Sequence, residues 1–172
     1  MEEKRILDAV TSPADLKLLT NEELGILADE IRGEIIDVTS QTGGHVASSL
    51  GAVEIILAVH SMIDCPHDKF VFDVGHQAYA HKLITGRLEQ FRTLRQYGGI
   101  SGFPKPSESP CDVHPSGHAS DSLSVAYGIA MARDMAGGDE KVVALTFDAA
   151  WGADNTQKIL DVLKEYGVTC TP

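Results

Sequence analysis

Three histidines stand beside glycines: His45 after Gly43-Gly44, His76 after Gly75, and His118 after Gly117. Glycine lets a backbone approach a phosphate closely, and a neutral imidazole can donate or accept a proton beside it. Three ordinary turns would give the same pattern, so spacing alone leaves both readings open. Asp148 offers a different chemistry. It closes the run Val142-Val143-Ala144-Leu145-Thr146-Phe147. A carboxylate at a strand's carboxyl end can ligate Mg²⁺ bridged to a diphosphate, and a cap or turn residue is the alternative. The other histidines have plainer settings. His60 lies inside an apolar helical stretch and reads as a packing histidine, while surface positions suffice for His67, His81 and His114.

These residues need elements to position them. Thr20 can cap a helix, Glu23 completes a capping box, and Leu24, Leu27, Ala28, Ile31, Ile35 and Val38 follow at helical spacing. Gly43-Gly44 ends that pattern, and Ser48 or Ser49 can cap a second, largely apolar helix through Ile63. Cys65-Pro66-His67-Asp68 reads as a turn and Lys69 to Val74 as a short buried strand. Gly75-His76-Gln77 follows the strand directly. From Tyr97 to His118 the chain is rich in Gly, Pro and Ser and without periodicity, which predicts a long ordered loop or a lid. Asp121 to Ala136 is helical, with Leu123, Ala126, Tyr127, Ile129, Ala130 and Arg133 spaced for one packed face, and Gly137-Gly138 stops it. Val142 to Phe147 is a strand, Asn155 to Tyr166 an amphipathic helix, and Val168-Thr169-Cys170-Thr171 the start of another strand. Alternating helices and apolar strands predict an α/β fold, an incomplete open parallel sheet with helices on both faces. Ligands in such sheets sit at the carboxyl ends of strands, where Gly75-His76 and Asp148 fall.

Composition narrows the function classes. The chain has 172 residues, 43% hydrophobic and 23% charged, enough for one domain with a real core. No apolar run approaches the roughly 20 residues that span a bilayer, and no signal-type stretch follows Met1, so a cytoplasmic location and no membrane partner are expected. A net charge of −11 argues against nucleic acid. A small anion remains compatible, since local dipoles or a metal ion can hold it. Cys65, Cys111 and Cys170 fit neither a disulfide framework nor a zinc site by spacing, and reduced thiols are expected.

The motifs also carry a family resemblance. Gly44-His45-Val46-Ala47-Ser48-Ser49-Leu50-Gly51, Phe72-Asp73-Val74-Gly75-His76-Gln77-Ala78-Tyr79, Leu83-Ile84-Thr85-Gly86-Arg87 and Arg95-Gln96-Tyr97-Gly98-Gly99 stand in order. Ser101-Gly102-Phe103-Pro104-Lys105, Ser107-Glu108-Ser109 and Gly117-His118-Ala119-Ser120 follow. From about Ala14 to Asp148 the series resembles the N-terminal part of the 1-deoxy-D-xylulose-5-phosphate synthase family, transketolase-like enzymes that use thiamine diphosphate. The resemblance implies a thiamine-diphosphate-binding fold over residues 1–141, with residues 142–172 a divergent strand-helix tail completing the same sheet. It implies that His45 transfers protons and positions substrate, and that His76 contacts the cofactor. Gly117, His118 and Ala119 would line it, with Ala119 where the family usually has Ser. Asp148 would ligate Mg²⁺, with Ala149 and Ala150 beside the diphosphate. The family reaction condenses pyruvate with glyceraldehyde 3-phosphate, releases CO₂ and feeds isoprenoid synthesis. A small-molecule cofactor and substrate are thus the expected partners.

The pattern changes after Lys141. The family's Gly-Asp-Gly-Ala is replaced by Phe147-Asp148-Ala149-Ala150, which removes both glycines that pass close to the diphosphate. The downstream asparagine ligand and the domain bearing the family's activating glutamate have no counterpart before Pro172. Val143 to Thr156, followed by Lys158 to Lys164, also resembles the opening strand and helix of a polysaccharide deacetylase, in which Asp148 would be the general base. These features predict a truncated or chimeric synthase domain, joined between Lys141 and Asp148 and inactive alone. A ligand-free engineered scaffold and a deacetylase fragment are the other readings. An incomplete sheet exposes an edge and apolar helix faces, so a homo-oligomer is expected.

Overall fold

A computed structural model describes residues 5–115 and 117–146. Two short 3₁₀ turns, Leu7–Ala9 and Pro13–Leu18, lead into helix α1, Asn21–Thr42. The start of α1 follows from its sequence. Thr20 accepts a hydrogen bond from the Glu23 amide, and the Glu23 carboxylate accepts one back from Thr20. The reciprocal pair satisfies amides that a helix start otherwise leaves open.

Next come α2, Val46–Gly51, and α3, Val53–Met62. Helix α2 begins earlier than the serines suggested: His45 is its N-cap residue, and Ser49 is buried within it. Strand β1, Lys69–Phe72, is followed by α4, Tyr79–Lys82, a π-type turn over Leu83–Arg87, and α5, Leu88–Phe91. Helix α6, Asp121–Ala136, ends at Gly137 in the left-handed region and leads to β2, Val142–Leu145. The two strands pair in parallel, with Lys69 opposite Val142 and Phe72 opposite Leu145. The fold is α/β with a small open parallel sheet, as expected.

Successive strand side chains point to opposite faces. Phe70 and Phe72 therefore share a face, where their rings meet His60 of α3 and His81 of α4. The apolar core is built by α1 (Leu27, Ile31, Ile35), α3 (Val53, Ile56, Leu57), β1 and the 79–94 segment. From β2, Val143 and Leu145 pack against it while partly exposed. The regular spacing of Leu123 to Arg133 predicted a packed face on α6, and here the structure differs. Leu123 is 57% exposed and Tyr127 68%, and Ser122 is the one residue of α6 that is buried. Spacing reports an apolar stripe on a helix, not what covers it.

Two further expectations are corrected. His81 is completely buried rather than on the surface. Cys65 and Cys111 are joined by a disulfide, their Cα atoms 5.7 Å apart. The segment from residue 97 to 113 folds back over the α3–β1 turn and brings together cysteines 46 residues apart. Cys170 lies outside the described residues.

Candidate functional site

The site begins where β1 ends. Beyond Phe72, the Gly75 amide donates to the Asp73 carbonyl at 2.6 Å, and Val74 takes φ 58° to make that turn. Gly75 is required here. Its φ is +84°, and a Cβ would lie 2.7 Å from Cδ of Pro104. The turn delivers His76 to the sheet's carboxyl edge.

His45 reaches the same place from the α1–α2 connection. Its ring lies edge-on to His76 with centroids 5.1 Å apart, and Phe103 borders it at 6.4 Å. Two hydrogen bonds brace the pair. The His45 amide donates to Tyr79 Oη at 3.2 Å, and Ser49 Oγ donates to the His76 carbonyl at 3.1 Å. Tyr79 is fully buried and anchors the brace in the core. Gly44 makes room for it, since a Cβ there would meet Tyr79 Oη at 2.6 Å. The His45 side is exposed and His76 is half-buried, so the pair presents imidazoles to an open face over a fixed base.

The third glycine-flanked segment arrives by a different route. Gly117, His118 and Ala119 are exposed and lead into Ser120, which has φ 71°. The Ser120 amide donates to Asp73 Oδ1 at 2.7 Å, and Ser122 Oγ donates to the same oxygen at 3.0 Å. Residues 117–120 are thereby tethered to the turn that carries His76. Asp148, Ala149 and Ala150 lie outside the described residues. Among the described residues, no group of three or more His, Cys, Asp or Glu could hold a metal ion.

Sequence reasoning did not single out Asp73 or Tyr79, and it read Ser49 only as a possible helix cap. Asp73 had a usable signal, a carboxylate at the carboxyl end of a strand just before Val74-Gly75. The bonds that Tyr79 and Ser49 make to the histidine pair had none, because they depend on which helices meet.

A second polar cluster lies beneath the sheet. His60 Nε2 lies 2.8 Å from His81 Nδ1, and His81 Nε2 lies 2.8 Å from Asp112 Oδ1. Arg87 donates to both Asp112 oxygens, at 2.7 and 2.8 Å. Lys82 pairs with Glu108 at 2.9 Å. A carboxylate only accepts, so His81 carries its proton on Nε2. A neutral His81 then accepts at Nδ1 from the Nε2 proton of His60. Burial, with the nearby His81, pushes the His60 pKa down to about 3. Burial lowers that of His81 as well, against the pull of Asp112. Burial alone would raise Asp112, but hydrogen bonds from His81 and Arg87 and the charge of Arg87 hold it far below the usual carboxylate range. This cluster ties the 101–113 loop to α4 and the following turn. It does not reach the His45–His76 pair, and its buried members serve the fold.

The family described as 1-deoxy-D-xylulose-5-phosphate synthase matches residues 7–166. A 1-deoxy-D-xylulose-5-phosphate synthase of Thermus thermophilus is 62% identical over 145 residues, covering 84% of this chain and 24% of the relative. The 1-deoxy-D-xylulose-5-phosphate synthase 2 of Geobacter sulfurreducens is 62% identical over 146 residues, 85% of this chain and 23% of the relative. The synthase of Methylacidiphilum infernorum is 50% identical over 173 residues, 94% of this chain and 28% of the relative. The chain spans about a quarter of the length of the relatives it matches. The family match continues through residue 166, well past Asp148, and leaves the polysaccharide deacetylase reading of the tail without support.

Proposed function

The chain belongs to the 1-deoxy-D-xylulose-5-phosphate synthase family, and on that premise we propose that it is the part of such an enzyme that receives thiamine diphosphate. The observation that carries this reading is the meeting of His45 and His76 at the carboxyl edge of β1, with residues 117–120 tethered beside them through Asp73. The described residues suit the cofactor. Gly44 and Gly75 let the two histidine-bearing segments close on Tyr79 and Pro104, and the exposed His45 meets the half-buried His76 at the carboxyl edge of β1.

Thiamine diphosphate, when bound, supplies the electron sink that stabilises a carbanion. The chain's own contribution is positioning and proton transfer. His76 contacts the cofactor from a turn locked by Gly75 and Ser49. His45, exposed and braced by Tyr79, moves a proton at its imidazole and orients the substrate, with Phe103 as an apolar wall. Gly117, His118 and Ala119 would help to line the cofactor. Asp148 would supply the carboxylate for Mg²⁺, and Ala149 and Ala150 would be the residues beside the diphosphate. The parent reaction joins pyruvate and glyceraldehyde 3-phosphate and releases CO₂.

Turnover by this chain alone is not expected. Phe147 and Ala149 replace the glycines that give a diphosphate close access to the backbone. A chimeric join between Lys141 and Asp148 belongs to the same proposal, and its support is this replacement of the family's glycines. Among the described residues no helix is long and apolar enough to cross a membrane. A cytoplasmic location and self-association through the exposed face of α6 complete the proposal.

Calorimetric titration with thiamine diphosphate, with and without Mg²⁺, tests the reading. Saturable binding that requires Mg²⁺ and is lost in Asp148→Ala is the expected result. Absence of heat at millimolar cofactor would replace it with the ligand-free scaffold.

A further inference from the structure

We propose that Asp73 is a positioning residue that sets the cofactor-facing segment 117–119 against the His76 turn; the proposal rests on the thiamine-diphosphate reading above. Asp73 is only 7% exposed, at the carboxyl end of β1. Its carboxylate accepts from the Ser120 amide at 2.7 Å and from Ser122 Oγ at 3.0 Å. Its carbonyl accepts from the Gly75 amide at 2.6 Å and Gln77 Nε2 at 2.9 Å. Its own amide donates to the Leu145 carbonyl at 3.1 Å, three residues before Asp148 in sequence. One side chain and its peptide groups thus join β1, the His76 turn, the entry to α6 and the end of β2.

The side-chain bonds are those that position the segment. The Ser120 side chain makes no cap hydrogen bond to α6. The N-cap residue is instead held from outside, by a carboxylate on the neighbouring strand that accepts from the Ser120 amide and the Ser122 hydroxyl. A negative charge there is favoured by the helix dipole, and hydrogen bonds to a buried carboxylate are stronger than neutral ones. Ser120 also sits at φ 71°, a conformation that non-glycine residues hold only when their surroundings impose it. Without the carboxylate, Ser120 returns to ordinary backbone geometry and carries residues 117–119 with it. Much of α6 is exposed, so apolar packing offers little to hold that end in place.

The test compares Asp73→Ala, Asp73→Asn and Ser122→Ala in the full chain by amide hydrogen exchange, urea unfolding and thiamine diphosphate titration with Mg²⁺. In Asp73→Ala, exchange over 117–122 rises and the cofactor dissociation constant weakens by about 10-fold or more, the loss expected for charge-assisted bonds. Asp73→Asn keeps an acceptor oxygen and restores part of both. Ser122→Ala, a mild change that keeps the Ser120 bond, weakens binding by about 3-fold. Exchange across α1 and the urea midpoint of Asp73→Asn stay at parental values. Unchanged exchange over 117–122 in Asp73→Ala overturns the proposal. So does faster exchange there with unchanged cofactor affinity. If the parental chain shows no cofactor binding, the proposed function fails instead, and exchange in the three variants decides whether Asp73 holds the segment.

Discussion

The segment from Leu7 to Asp112 and the segment from Gly117 to Thr146 are held by different means. The first contains every buried hydrophobic residue among those described, together with the His60–His81–Asp112–Arg87 cluster. The second leaves Leu123, Tyr127, Met131 and Met135 exposed and joins the first through the partly exposed Val143 and Leu145 and through polar and backbone ties. Those ties include the β1–β2 ladder, the Asp73 carboxylate, and Asp68, which accepts from the Lys141 amide at 2.8 Å. His45 and His76 belong to the first segment and Gly117 to Ala119 to the second. Stability and site assembly are therefore separable in this chain. Burial supplies one, and a few hydrogen bonds supply the other.

The largest effect should come from breaking the buried cluster. Asp112→Ala removes the carboxylate that receives both Arg87 and His81, leaving a buried guanidinium without its acceptor. A loss of about 3–5 kcal/mol in urea unfolding is expected. A loss under about 1 kcal/mol would mean that the first segment does not depend on this network.

Acid should act next, and on the first segment. His60 and His81 have folded pKa values below the 6.5 of an unfolded histidine. The unfolded chain therefore binds more protons below that pH. Their neutral burial is fully compatible with stability above about pH 6.5, and stability falls as pH drops from there toward about 3, the His60 value. The slope is at most about 1.4 kcal/mol per pH unit for each histidine. Asp112, held low, adds its own loss only as pH falls below the ordinary carboxylate range. Unfolding midpoints between pH 7 and 5 measure this, and a flat profile would contradict the neutral buried pair.

The smallest effect should lie on α6. Tyr127→Ser and Met131→Gln alter exposed side chains, so each should change unfolding free energy by less than about 0.5 kcal/mol. A cost above about 1.5 kcal/mol at micromolar protein would sharpen the contrast in another way. It would show that a second copy covers the face, and dilution should then lower the midpoint.

Local chemistry made much of this legible in the sequence. The Thr20–Glu23 box fixed the start of α1 because both partners lie within one turn. The β-branched and aromatic run marked β1, and the glycine beside His76 marked the turn. The cluster stayed hidden because His81 and Asp112 lie 31 residues apart, and the intervening 97–118 stretch has no period to follow. The same loop brought the paired cysteines together, against the expectation of free thiols. On α6 the spacing was read correctly as a stripe, yet no spacing names the surface that covers it. The Asp73 clamp falls between these cases, with its position on the strand visible and its partners on α6 not.

The Cys65–Cys111 bond turns the chain between them into a closed covalent ring. That ring contains β1, Asp73, His76, Tyr79 and the whole of α4 and α5. A single protease cut anywhere inside it separates the backbone but not the molecule. The two pieces run as one band on a non-reducing gel and part only when a reductant is added. For the nicked protein, His76 stays covalently joined to the same molecule as His45, through the disulfide if the cut falls before it and through the backbone if the cut falls after.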